Sequence, residues 1–287
     1  MEVALKLIAL FAAVAASIPA QTPSVESIMS RVAINQAKSQ ELRTNYVYSQ
    51  KQLLRMLRGN GKVAREERRE YTVVPAHRGV KKELTKFEGK YQQHDAYVSY
   101  FHPGYQYKNI DIDGGLINDL SEDMMNDKGS RDGIAHDLFP LTYHQQFKYD
   151  FRLVGTERYR GREVYRIAYQ PKHIPHLADA DDSGSTIWKG EALIDAAEFQ
   201  PVLVTSKMAL RIPGAVKILL GTDIKGLGFS LTYEKFADGV WFPVSYGGEF
   251  DVKGLFLYKR TMTVSMVNSD FHRLDVNSHI AYAKEDQ

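Results

Sequence analysis

The chain has 287 residues, of which 44% are hydrophobic and 25% charged, values that exclude a disordered, collagen-like or coiled-coil protein. With 37 Lys and Arg against 35 Asp and Glu, the net charge is +2, which predicts no nucleic-acid partner. Cysteine is absent, so disulfides, thiolate metal sites, a cysteine nucleophile and a lipidated cysteine anchor are excluded.

The first residues have the pattern of a secretory signal peptide. Lys6 lies in a short polar start, an apolar run follows over Leu7–Ile18, and Ala20 is the small residue expected before a cleavage site. We therefore predict a signal peptide at 1–20 and export to the periplasm. The alternative is an uncleaved membrane anchor, for which the apolar run is short. The mature chain shows no other stretch that could form a transmembrane helix.

A helix and a hairpin follow. Ser24–Lys38 places apolar residues at helical spacing, with Ser24 in position to cap the helix. Tyr46–Arg58 has the pattern of an extended strand, and Gly59-Asn60-Gly61 is a turn signal into a second strand at Lys62–Val74.

The second strand contains the charged run Arg65–Glu70, whose sequence is REERRE. Because charges occupy both faces, we interpret it as a solvated hairpin end with cross-strand pairs of mixed sign. The alternative, an anion-binding patch, is disfavoured by the three interleaved glutamates.

The periodic spacing of apolar residues is weakest in the middle of the chain. Leu84–Tyr91 is compatible with a strand, but we predict an irregular insertion at about 86–148. Within it, Ile110–Asp127 predicts a loop with a short helix, and Asp137–Thr142 predicts a helix start near its proline. No linker composition marks a boundary, so residues 21–287 are predicted to form a single domain.

From Tyr149 onward the apolar residues alternate with a period of two, which indicates strands. About nine or ten antiparallel strands with two or three helices predict a mainly β (α+β) protein whose strongly curved sheet forms an incomplete β-barrel. The last run is apolar on both faces, which indicates burial on both sides or one face lining a cavity. The alternating runs lie near Tyr149–Thr156, Arg162–Tyr169, Val202–Ile212, Leu227–Tyr233, Val240–Tyr246 and Gly254–Met266.

Two constellations could carry chemistry. The loop Lys172–Gly184 offers possible ligands for Zn or Mn, but its proline, aspartates and glycine are those of an ordinary loop. A serine-histidine-aspartate triad is conceivable in the middle of the chain, but no GxSxG motif supports it. We therefore predict no catalytic residue, no metal site and no cofactor. The side chains concerned are His173, His176, Asp179, Asp181 and Asp182 in the loop, and Ser130, His136, Asp137 and His144 in the middle.

Seventeen Tyr and thirteen Phe are the most distinctive part of the composition. They either form an ordinary core or line a hollow half-barrel that accepts acyl chains, where each buried methylene contributes about 0.8 kcal/mol. The candidate ligand-binding residues are Trp241, Phe229, Leu231, Tyr233, Phe256 and Tyr258.

Trp241 has a specific context. The Asp-Gly turn at 238–239 leads directly into a strand, on which Val240 and Phe242 share one face and Trp241 lies on the other. Pro243 lacks an N–H donor, which predicts a sheet edge or a bulge. We expect Trp241 either to cover the end of the barrel or to pack against a helix.

Four stretches resemble a known superfamily. The first is the order of elements at the start, where the helix Ser24–Lys38 precedes the first long strand. The second is Gly161–Lys172, which matches the pattern G-x-E-x-Y-x-I followed by P-K. The other two are Trp188–Pro201, which matches W-ID-x-x-x-F-x-P, and Gly239–Pro243, which matches GvWfP. They resemble the periplasmic lipoprotein carriers of the LolA, LolB and RseB type. The resemblance implies an incomplete antiparallel β-barrel with helices over its open mouth, and an apolar interior that binds acyl groups. No acyl-site residue can be carried over by motif.

The sequence thus predicts an exported, monomeric, non-enzymatic carrier or binding protein for a hydrophobic ligand such as a lipoprotein acyl chain. One alternative is an envelope scaffold or signalling protein that docks another protein through its sheet edge or its irregular middle. Another is a metal-dependent hydrolase that uses His136, His144 or the loop His173–Asp182.

Overall fold

The structure is a computed structural model. It describes residues 22–76, 80–121, 142–173, 188–209, 223–225, 228–236, 238–253 and 258–274. The signal peptide predicted at 1–20 lies outside these residues. None of the described helices is both long enough and apolar enough to cross a membrane.

The described residues contain three helices and twelve strands. The helices are α1 (Val25–Arg43), α2 (Ile112–Leu120) and α3 (Tyr143–Gln146). The strands are β1 (Tyr46–Arg58), β2 (Val63–Pro75), β3 (Val80–Gln93), β4 (Ala96–Tyr100), β5 (Tyr149–Tyr159), β6 (Arg162–Pro171), β7 (Trp188–Asp195), β8 (Pro201–Met208), β9 (Asp223–Lys225), β10 (Gly228–Lys235), β11 (Trp241–Lys253) and β12 (Lys259–Arg273).

All twelve strands belong to one antiparallel sheet. Its order is β4-β3-β2-β1-β12-β11-β10-β8-β7-β6-β5, and β9 pairs with β11 beside this path. The order ends at β4 and β5, and among the described strands these two are not paired with each other. The predicted fold class, a curved antiparallel sheet that forms an incomplete barrel, is confirmed, with more strands than the nine or ten expected.

Helix α1 begins where the sequence predicts. The Ser24 hydroxyl accepts a hydrogen bond from the backbone N–H of Ser27 at 3.2 Å, and Glu26 lies in the first turn, where its charge favours the helix dipole. The helix continues five residues beyond the predicted end, to Arg43. The buried positions of this extension, Ser39 and Arg43, are polar, so apolar spacing could not reveal it. Arg43 donates to the backbone carbonyl of Trp241 at 2.6 Å.

The predicted irregular insertion at 86–148 is wrong at its beginning. Residues up to 93 continue β3, and β4 follows after a turn at His94 and Asp95. The side chains of β3 are charged or polar and mostly exposed, so they show little apolar alternation. The strand forms because its backbone pairs with β2 along almost its whole length.

The hydrophobic core lies between the sheet and the helices α1 and α2. Ile28 and Val32 of α1 and Ile117 of α2 are fully buried in it, together with apolar side chains from most strands. A smaller aromatic cluster packs separately around Phe242, whose ring centroid lies 4.4 Å from that of Phe271.

Strand β11 contains a bulge. Tyr233 of β10 pairs with Pro243, but Thr232 pairs with Ser245, so one extra residue is accommodated at this point. The bulge predicted from Pro243 is therefore confirmed, whereas the alternative of an edge strand is wrong, because β11 lies between β10 and β12.

Successive side chains of β11 point to opposite faces of the sheet. Trp241 accordingly belongs to the main core, whereas Val240 and Phe242 belong to the smaller cluster, as predicted.

Trp241 is 2% exposed, so we expect Trp241→Ala to lower the free energy of unfolding by about 3–5 kcal/mol. Urea denaturation measures the change. Val267→Ala on the neighbouring strand β12 is the control: this side chain is exposed, and the loss should not exceed about 1 kcal/mol. Equal losses in the two variants would contradict the placement of Trp241 in the core.

Candidate ligand-binding site

Four of the six predicted ligand-binding residues lie together in the main core. Phe229, Leu231 and Tyr233 follow one another on the buried face of β10, and Trp241 lies on the adjacent strand β11. The ring of Phe229 packs edge-on against Trp188, with centroids 4.6 Å apart. These side chains fill the core together; their contact with a ligand stays a prediction.

Of the other two, Tyr258 is partly buried and packs against the same core. Its hydroxyl donates to Asp113 of α2 at 2.6 Å. Phe256 falls outside the described residues.

Trp241 links α1 to the sheet. Its indole N–H donates to Glu198 at 3.0 Å, and its carbonyl accepts a hydrogen bond from Arg43 at the end of α1, at 2.6 Å. Burial alone would raise the pKa of Glu198, but hydrogen bonds from Lys235 and Trp241 outweigh it and lower the pKa. The backbone of Trp241 thus contacts the end of α1, whereas its ring lies against β6, with the guanidinium of Arg162 5.0 Å from the ring centroid. The two placements expected for the ring, over the end of the barrel or against a helix, stay predictions.

The interpretation of Arg65–Glu70 as a solvated hairpin end is wrong for one face of β2. Arg65, Glu67 and Arg69 are 0%, 1% and 1% exposed, on the face that α2 covers. On the opposite face the expected cross-strand pair of mixed sign is present, since Glu66 lies 2.6 Å from Arg55. Arg68 on that face is exposed as expected, but Glu66 is only 5% exposed. Alternation along the strand separates the two sets of charges.

The buried charges form a continuous hydrogen-bonded network. Arg65 donates to Asp111 at 2.5 Å and to the hydroxyl of Tyr100 at 2.7 Å, and that hydroxyl donates to Glu67 at 2.7 Å. Arg69 donates to Glu67 at 2.6 Å. Burial and the charge of Glu67 raise the pKa of Tyr100, so this phenol stays protonated and can act as the donor.

The same network fixes α2 on the sheet. Arg69 donates to Ser121 at the end of α2 at 2.7 Å, and Ser121 donates to Gln52 of β1. On the other side of the helix, Asp113 accepts a hydrogen bond from Arg260 of β12 at 3.0 Å. Helix α2 is therefore held on β1 and β2 by polar contacts as well as by the burial of Ile117 in the main core.

A cavity of about 220 Å³ opens between α1, α3 and β5, at the end of the strand order. Met29 of α1 forms its inner wall and is itself part of the main core, while Phe151 of β5 packs against that core. Gln146 of α3 donates to the carbonyl of Met29 at 3.0 Å, which holds α3 beside α1. The cavity thus lies open to solvent, with Met29 of the apolar core in its lining.

The entrance is aromatic and flanked by opposite charges. Tyr143 and Phe147, both exposed, pack edge-on with centroids 4.8 Å apart. Glu26 and Lys172 also line the cavity. The sequence analysis did not predict this site, because its residues come from four separate segments. The one local feature that could have indicated it is the pair Tyr143 and Phe147, two aromatic residues at helical spacing.

The residues weighed as alternatives for metal binding or catalysis lie mostly outside the described residues. His173 is exposed, but His176, Asp179, Asp181 and Asp182 lie outside, as do Ser130, His136 and Asp137. His144 is described and lies exposed on α3. Within the described ranges, no group of three or more His, Asp or Glu side chains is arranged to hold a metal ion.

Comparison with known proteins gives structural likenesses alone. No family model matches the chain. No curated protein sequence matches it either.

Among solved structures, an outer membrane lipoprotein-sorting protein domain from Vibrio parahaemolyticus is 12% identical, with a TM-score of 0.40, over 89% of this chain and 96% of that one. A LolA superfamily protein from Nitrosomonas europaea is 11% identical, with a TM-score of 0.36, over 88% and 94%. A DUF1329 family protein from Desulfovibrio piger is 13% identical, with a TM-score of 0.34, over 90% and 95%. At these values the likeness is one of general fold, and no site residue is transferred.

The buried network predicts that substitution of Arg69 lowers the free energy of unfolding much more than substitution of the adjacent Arg68. Arg69→Met leaves Glu67 buried without its closest cation, so the free energy of unfolding should fall by about 3–5 kcal/mol. Arg68→Met on the exposed face removes a surface pair with Glu66 and should cost at most about 1 kcal/mol. Urea denaturation of both variants tests this, and a similar loss in the two would contradict the burial of the network.

Proposed function

We propose that the protein is an exported, non-enzymatic binding or carrier protein for a hydrophobic ligand such as an acyl chain, and that it acts in the cell envelope. The observation that carries this proposal is the cavity between α1, α3 and β5, whose inner wall is continuous with the apolar core. The signal-peptide pattern at 1–20 supports export.

The walls of the cavity suit an extended apolar chain. Met29, Phe147 and Phe151 offer apolar surface, and each methylene buried against them contributes about 0.8 kcal/mol. Glu26 and Lys172 at the cavity can keep a polar head group hydrated while the chain enters.

The cavity has one wall that can move at low cost. Helix α3 spans only the four residues Tyr143–Gln146, and none of its side chains is fully buried. An element with so little buried surface opens locally at a small fraction of the global unfolding free energy. A ligand longer than the 220 Å³ cavity can therefore be accommodated by displacement of α3 from α1.

A second candidate function is protein binding through the sheet edge. At one end of the strand order β4 has five residues, whereas at the other end β5 has eleven. A long edge strand offers backbone donors and acceptors to an added strand. This function predicts no response of the isolated protein to acyl ligands, which separates it from the first.

Palmitate should stabilise the delipidated protein. At a free concentration about 100 times its dissociation constant, the gain is about 2.7 kcal/mol, which raises Tm by about 5–10 °C. Ser30→Phe places a ring in the cavity from an exposed position of α1. We expect it to weaken binding about tenfold, which removes about 1.4 kcal/mol of that gain.

The matched control is Ser27→Phe, an exposed serine of the same helix that does not line the cavity. It should keep the palmitate response. No rise in Tm for the unmodified chain would reject the hydrophobic-ligand function. An equal rise in Ser30→Phe and the unmodified chain would keep that function but place the ligand outside the cavity.

A further inference from the structure

The smaller aromatic cluster around Phe242 has an open side, which forms the floor of a second cavity. This cavity has a volume of about 600 Å³ and shares no lining residue with the cavity beside α3. Phe242 and Trp241 point to opposite faces of β11, so the second cavity lies on the face of the sheet away from the main core. We call it the outer cavity; its apolar floor consists of Phe236, Val244, Val267 and Phe271.

Two β-bulges shape the outer cavity. One is the bulge of β11, whose extra residue Val244 lies in the floor. The other lies in β12, where Asp270 and Phe271 together oppose the single residue Tyr48 of β1. Asp270 has a φ of 55°, in the left-handed region, and both residues of this second bulge line the cavity. Bulges re-aim side chains, and here two adjacent strands aim theirs into one space.

The size of the outer cavity suits a small molecule. Pockets that bind small molecules have volumes of about 300–1,000 Å³, with an apolar lining and a few polar groups that fix the orientation of the ligand. A stable protein interface takes about 20–30 residues from each partner, far more than the four apolar side chains of this floor. The hydroxyl groups around the floor belong to Thr232, Ser245 and Ser269.

The charges around the outer cavity favour a cationic ligand. Three ionised side chains line it, and one of them, Arg160, is already paired with Glu234 at 3.4 Å. The third, Asp270, accepts a hydrogen bond from the Ser269 hydroxyl at 2.9 Å and forms no ion pair with a described cation. The rings of Phe236 and Phe271 lie 4.6 Å apart, and the negative faces of such rings attract cations. An anion would instead meet two carboxylates.

We propose that the outer cavity binds an organic cation with an apolar body. The ammonium group lies beside Asp270, and the apolar body packs on Phe236 and Phe271. The inference goes beyond the proposed function, because the two cavities are lined by different residues and either can bind its ligand without the other.

The probe for the test is dansylcadaverine, a primary amine with a fluorescent aromatic body. On binding to the full chain we expect its emission to shift to the blue and its fluorescence anisotropy to rise. The N-acetyl derivative has the same body without the charge and should bind about tenfold more weakly, because an ion pair and a cation–π attraction are lost. Ser30→Phe, which places a ring in the cavity beside α3, should leave the dissociation constant of the probe unchanged.

Asp270→Asn removes the charge and keeps the shape of the side chain. Asn adopts the left-handed conformation as readily as Asp, so the bulge is retained. We expect the dissociation constant of dansylcadaverine to rise about fivefold. The matched control is Asp150→Asn, since Asp150 is exposed on β5 and does not line the outer cavity; it should leave binding unchanged.

Val267→Lys places an ammonium group in the floor and should abolish binding of the probe, since it repels a cation and fills space. Val154→Lys is its control, because Val154 is 42% exposed against 45% for Val267 and lies outside the cavity. The proposal is overturned if dansylcadaverine does not bind, if its N-acetyl derivative binds equally well, or if either variant of the outer cavity behaves like its control. Weaker binding in Ser30→Phe alone would place the probe beside α3 and would overturn it too.

Discussion

Three charged side chains on one face of β2 determine how half of this fold is built. Arg65, Glu67 and Arg69 are removed from water, and each unpaired charge in that position would cost several kcal/mol. Their partners come from β4, from the loop that follows it and from α2, so these elements must be in place for β2 to be stable. Gly89 of β3 makes room for this arrangement, because a Cβ there would collide with the ring of Tyr100, whose hydroxyl joins the charges.

The rest of the sheet is packed by apolar burial, and the same core extends to β1 and α2 through Leu54, Met56 and Ile117. Strands β5 to β11 bury apolar side chains, and α1 supplies Ile28 and Val32 to the same core. Burial of apolar surface tolerates imperfect closure better than burial of charges, because an apolar cavity leaves no polar group unsatisfied. The cavity beside α3 occurs in this part, where Met29 closes it from within.

The two parts of the sheet are therefore covered in different ways. The polar network orders the segment after β4, where the rings of Tyr105 and Tyr107 stack on Tyr100 and Tyr91. The part that contains β5 provides a cavity with a short, weakly buried helix as one wall.

The amino-acid sequence by itself determines the local elements. Ser24 and the apolar spacing after it specify the start of α1, the turn at 59–61 specifies the first hairpin, and period-two alternation specifies most of the strands after Tyr149. These signals are local, because capping, turn conformation and side-chain alternation depend on residues a few positions apart.

Only the tertiary structure decides which side of a strand is covered. The run REERRE has charges on both faces, and the burial of Arg65 but not of Arg68 depends on α2, which lies some fifty residues later in the chain. The strand β3 likewise forms by pairing with the preceding strand β2 and not through an apolar pattern of its own. The polar end of α1 bonds to a residue far away in the sequence, since Gln36 donates to Gln200. The cavity could not be predicted from the sequence for the same reason. Met29 and Phe151 line it together only because the curved sheet brings β5 to α1, and no local sequence pattern indicates that contact.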